Sequence, residues 1–195
     1  MIRGKILSLI AIVVALVCHE FAHGYVAYLL GDNTAKDSGR LSLNPLKHID
    51  PMGLIFMLVF RIGWAKSVPI TPNYFNKPRR DMILVALAGS VTNLILGAFF
   101  IVGFYKLPLG SNGLELFSYI ISYNVMLGIF NLIPLPPLDG SKVIISLLPM
   151  NYQRWIYSNE RWFYLVLIAF VFSGGAQKVV WPLMNGYINF LSGIF

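Results

Sequence analysis

Charge is scarce in this chain and cysteine almost absent. Only 12% of its 195 residues are charged, eight acidic and 15 basic, and Cys18 is the single cysteine. A typical soluble domain carries about 25% charged residues. The lone thiol excludes an intrachain disulfide framework. Three long stretches, 6–30, 82–105 and 116–138, lack Lys, Arg and Asp altogether, and a fourth, 162–195, is interrupted only by Lys178. Low-complexity tracts, repeats and soluble linkers are also missing, so no appended soluble domain is expected.

Apolar side chains fill the space instead, at 57% of the sequence. A soluble fold of this size could not hide them, so the expected solvent is the bilayer. A helix crosses the hydrocarbon with about 20 apolar residues, and the first three stretches qualify. The last reads as two short spans, 162–177 and 179–195, or as one span plus an interfacial helix. The apolar run 52–60 is too short to cross and reads as a re-entrant or interfacial element. The pattern predicts an all-α polytopic membrane protein. Its bundle would hold about five to six transmembrane helices, with a short re-entrant or β-hairpin element between the first two long spans. It would form one domain over 1–195, with a core at 6–148 and C-terminal helices at 162–195. The basic start before the first apolar run resembles a signal peptide. No small-residue cleavage site follows, however, and the run continues to Leu30, so it reads as a span.

The net charge of +7 does not point to nucleic acid. Eight of the 15 cations, Lys36, Arg40, Lys47, Arg61, Lys66, Lys77, Arg79 and Arg80, lie between the first two long spans. Lys142, Arg154 and Arg161 follow the third, while the loop between the second and third holds only Lys106. Cytoplasmic loops concentrate cations. This places 31–81 and 139–161 in the cytoplasm and 106–115 outside, with Arg3 and Lys5 outside against the rule. The chain is expected to be a multi-pass protein of the cell membrane.

Inside the first apolar stretch lies Cys18-His-Glu-Phe-Ala-His23. At about 100° per residue, His23 falls about 40° round from His19 and one turn along, so both imidazoles can reach one metal ion. Glu20 lies beside that face, placed to take a proton from water held by the ion. Charged groups near mid-span cost about 2.5–3.5 kcal/mol each on insertion scales, and a divalent metal is a compensating partner for three such residues together. A hydrogen-bonded structural cluster is the alternative.

A third ligand must come from elsewhere, from His48 or from aspartates 32, 37, 50, 81 and 139. Asp139 is favoured because it closes the third long stretch, where Pro134, Pro136 and Pro137 forbid regular helix. Irregular backbone at membrane depth belongs where it lines a cavity, and Gly140 gives the chain room to turn. His48 and Asp50 belong to a polar loop suited to solvated or turn-capping roles.

Four blocks carry a family resemblance: 19–23, Gly39 through Gly53, Gly63 through Pro69, and Asn131 through Gly140, with a weaker fifth at 88–93. In this order they resemble the site-2 protease family of intramembrane metallopeptidases, in a short form lacking PDZ and CBS domains. The resemblance implies one zinc ion per chain held by His19, His23 and Asp139. It also implies a catalytic Glu20, and an Asn131 that helps hold the substrate backbone. Ser90 and Ser67 stand where the family usually has proline, and neither is a ligand. The expected activity is hydrolysis of peptide bonds in membrane-embedded protein substrates.

A helical substrate must unwind before its carbonyls can be attacked. Val68 and Ile70 alternate beside Pro69, and 65–70 reads as an edge strand that pairs with the unwound segment, or as a surface loop. Asn93 is a candidate substrate contact or a tie between membrane helices. The competing class is a membrane metal-binding or transport protein without hydrolytic activity; the glutamate beside the first histidine argues for the enzyme.

Overall fold

Proline and glycine punctuate the chain into helices. The structure, a computed structural model, describes residues 2–50, 53 and 66–195. Helix α1 (Ile2–Leu29) runs until Gly31, whose φ of 104° only glycine adopts freely. A short helical turn, α2 (Thr34–Asp37), follows. Helix α3 (Pro78–Lys106) starts with proline at its first position, while Asp81 reaches back to accept a hydrogen bond from the Lys77 amide at 2.9 Å. Helix α4 (Ser111–Asn131) stops before the Pro134–Pro137 run, and α5 (Asp139–Leu147) resumes directly after it. Pro149 then separates α5 from α6 (Met150–Ser158), which precedes α7 (Glu160–Phe172) and α8 (Gly175–Ser192).

The bundle is built around α1, α3 and α4, each packed against the other two. Helix α5 lies on α3, α8 covers α4 and α3, and α7 contacts α8. Ile101, Ile121, Val125, Ile129, Val180 and Met184 form one buried apolar cluster between α3, α4 and α8. At Gly97 a Cβ would stand 2.6 Å from Val125 Cγ2, so the absent side chain is what lets α3 and α4 approach. Arg3 pairs with Glu115 at 2.7 Å, and Ser8 meets Tyr123 at 2.7 Å, so α1 and α4 run parallel with α3 antiparallel between them.

Polarity is distributed inside out. Asn93 and Asn124 are 0% exposed, whereas Ile95, Phe99, Phe172 and Phe190 turn outward at 62% to 73%. Large apolar groups facing out around a polar interior are what a lipid solvent selects.

Among the described residues, three helices are long and apolar enough to cross a membrane, or four if the bent pair α7–α8 makes one span. Sequence suggested about five to six. Among the described residues the difference arises at the C-terminus. The chain breaks at Gly174, with φ of 77° and a bend of 67°, and Lys178 lies inside α8. At 13 residues, α7 is about 20 Å long, short of the hydrocarbon thickness. No β-strand occurs among the described residues, and 66–70 runs without regular structure. Apart from Gly53, the proposed element at 52–60 lies outside the described residues, as do Ala65 of the expected edge strand and Gly63 and Trp64 of the third motif block.

Candidate metal centre

Two histidines one helical turn apart meet a carboxylate from the far half of the sequence. His19, His23 and Asp139 are 4%, 6% and 6% exposed. The Nε2 atoms of His19 and His23 lie 3.0 Å apart, and each lies 3.0 Å from Asp139 Oδ2. The rings stand edge to face, 86° between planes. The proline run delivers Asp139 to this point as the first residue of α5, where the positive helix end favours a carboxylate. Glycine at 140 serves a different purpose from the one expected. A Cβ there would run into the Leu132 and Ile133 carbonyls, so it permits close packing, with no unusual φ.

The hydrogen-bond partners fix where the ring protons sit. Nδ1 of His23 lies 2.7 Å from the Val85 carbonyl, which can only accept, so this nitrogen donates. Nδ1 of His19 lies 2.6 Å from Asn93 Oδ1. The Asn93 amide cannot be flipped, because its Nδ2 donates to the Ala15 carbonyl at 3.0 Å and to Asn124 Oδ1 at 2.8 Å. Asn124 is fixed in turn by donating to the Ile120 carbonyl at 2.9 Å. With Nδ1 as the donor, each imidazole in its neutral, metal-binding form presents an Nε2 lone pair to Asp139 Oδ2. Three lone-pair atoms at mutual contact repel one another unless a cation lies among them. Two imidazoles and one carboxylate are a donor set that suits zinc, whose tetrahedral ligands sit about 3.3 Å apart. The residues present fit such an ion.

The other oxygen of Asp139 is engaged separately, accepting from Lys142 Nζ at 2.8 Å. Burial opposes the charge on Lys142, but the neighbouring Asp139 carboxylate prevails and raises its pKa above the usual lysine value. Glu20 is 9% exposed, and its Oε2 accepts a hydrogen bond from the Val68 amide at 2.8 Å. Val68 belongs to a strap, 66–71, fastened at several points. Arg40 donates to the Lys66 and Ser67 carbonyls, the Lys66 amide donates to the His48 carbonyl, and the Thr71 amide donates to Asp32 Oδ2 at 2.6 Å.

The remaining candidates separate. Val68 is buried, and Ile70 packs against the cluster of Ala27, Phe75 and Val85. Asn131 is half-buried at the end of α4, donating to the Leu127 carbonyl at 3.1 Å. Asn93 has its oxygen and both donors engaged within the protein. His48 lies buried, with Nε2 donating to the Ser42 carbonyl, and Asp50 accepts from the Gly53 amide. The aspartates 32 and 81 serve the backbone at the strap and at the start of α3. Sequence reasoning missed Asn124, and it missed the roles of Lys142 beside Asp139 and of Arg40 and Asp32 at the strap. Asn124 alone carried a signal, as an amide within an apolar span.

Known proteins resemble this chain along most of its length. Residues 106–174 match the family model described as Peptidase family M50. The chain is 42% identical over 185 residues to "Putative zinc metalloprotease YwhC" of Bacillus subtilis (strain 168), covering 90% of this chain and 84% of that protein. It is 27% identical over 188 residues to "Putative zinc metalloprotease Rip2" of Mycolicibacterium smegmatis, covering 92% and 71%. A third relative, "Zinc metalloprotease MJ0392" of Methanocaldococcus jannaschii, is 26% identical over 143 residues, covering 73% and 34%. No solved structure matches it.

Proposed function

Because this chain belongs to peptidase family M50, the site-2 protease family, we propose that it is an intramembrane zinc protease that hydrolyses peptide bonds of membrane-embedded proteins. His19, His23 and Asp139 hold the ion, and Glu20 is the general base. The observation that carries this reading is the convergence of three buried lone-pair atoms at 3.0 Å, with a carboxylate one residue from the first.

Zinc, when bound, supplies Lewis acidity that makes water nucleophilic near neutral pH. The protein's own residues do the rest. Glu20 accepts the proton of the attacking water and returns it to the leaving amine. The amide of Val68 holds one oxygen of Glu20 and leaves the other for that exchange. Asn131, at the end of α4, binds the unwound substrate backbone through its side-chain carbonyl. The strap pairs with the same segment through the Val68 carbonyl and the backbone of Ile70, since the Val68 amide is held by Glu20 and both side chains are turned into the protein. The excess of cations in 31–81 and 139–161 supports an active site on the cytoplasmic side of the cell membrane.

Replacing Glu20 by Gln keeps the size and removes the base. Cleavage of a co-expressed single-span substrate is expected to fall by about 10²–10⁴-fold with zinc content unchanged. Cleavage at the wild-type rate would refute the hydrolytic assignment.

A further inference from the structure

We infer that Asn93 is a positioning residue for zinc, fixing His19 so that Nε2 faces the ion, and that Asn124 locks Asn93 in that orientation. The chain of reasoning starts at two carbonyls. The Ala15 and Ile120 oxygens can only accept, so they dictate which end of each amide is nitrogen. Asn93 is then left with one free acceptor, Oδ1, and it stands 2.6 Å from His19 Nδ1. A neutral ring, the form that binds a metal, offers its lone pair from Nε2 when it donates from Nδ1, and Nε2 is the atom beside Asp139.

Asn93 uses its oxygen and both N–H donors in this relay, and both amides are 0% exposed to solvent. A substrate contact from Asn93 would have to break one of these bonds. A tie between helices needs only the Nδ2 bonds to Ala15 and Asn124, and it does not require an acceptor aimed at a ligand ring. His23 meets the same need without a side chain, through the Val85 carbonyl. The asymmetry explains why a buried amide is needed beside one histidine and not the other.

The inference rests on the metal reading above, and its test separates the two. Asn93→Leu removes the acceptor and is expected to weaken zinc binding by about 10–100-fold in chelator competition on detergent-purified protein. Asn93→Asp keeps an oxygen for His19 Nδ1 but loses both donors. It should bind zinc at least as tightly as wild type, even as its unfolding midpoint falls. Wild-type affinity in Asn93→Leu, or a loss in Asn93→Asp equal to that in Asn93→Leu, would overturn the inference alone. A wild-type chain that binds no zinc would overturn both readings. Should the variants not fold, 15N spectra of histidine-labelled, zinc-loaded wild type decide the matter. The inference requires the His19 proton on Nδ1, and a bare Nδ1 refutes it.

Discussion

Gly89 faces both imidazoles from α3, and a Cβ built there would stand 2.5 Å from His23 Nε2 and 2.6 Å from His19 Cε1. Neither ring can give way, because Val85 and Asn93 hold their far sides. Gly89→Ala should therefore weaken zinc binding by more than about tenfold while helicity by circular dichroism stays level, since alanine is the better helix former. Unchanged metal affinity would contradict this packing. The histidine pair was legible in the sequence because its geometry is local, fixed by a spacing of four in one helix. Asp139 was legible because prolines announce irregular backbone where a span should end. The amides were not. A polar residue in an apolar stretch declares that it has a partner, but the partners of Asn93 lie 78, 74 and 31 positions away.

At the scale of elements, the strap depends on Asp32, a carboxylate that is 0% exposed and accepts from the Thr34 and Thr71 amides at 2.9 and 2.6 Å. Hydrogen bonds to charged groups contribute about 1.5–3 kcal/mol each. Asp32→Ala is expected to destabilise the protein by about 3 kcal/mol and to expose 66–71 to limited proteolysis, with Asp32→Asn intermediate. A strap equally resistant in all three proteins would mean that Asp32 does not fasten it. The three long helices were legible from their length and lack of charge. The C-terminal division was not, because a lysine looks like a boundary while the actual break is one left-handed glycine, Gly174. Helices α5 and α6 also escaped notice. Each is nine residues long and starts just after a proline, so in sequence they read as extensions of the loops.

For the whole molecule, the Arg3–Glu115 pair puts the N-terminus at the same end as the α3–α4 loop. The positive-inside rule assigned the same two segments to one side. In a Cys18→Ala background, Gly110→Cys should react with an impermeant maleimide on intact cells, and Asn76→Cys only after permeabilisation. Both positions are exposed in the structure. The reverse pattern would invert the orientation.

The two imidazoles leave the ribosome 116 to 120 residues before the carboxylate that completes their set. A chain halfway through insertion thus carries a pair of ligands and no working centre. On the proposed assignment, the donor set is complete only once α5 has been synthesised. The order of synthesis alone would then keep the proposed centre incomplete until the three long helices have left the ribosome.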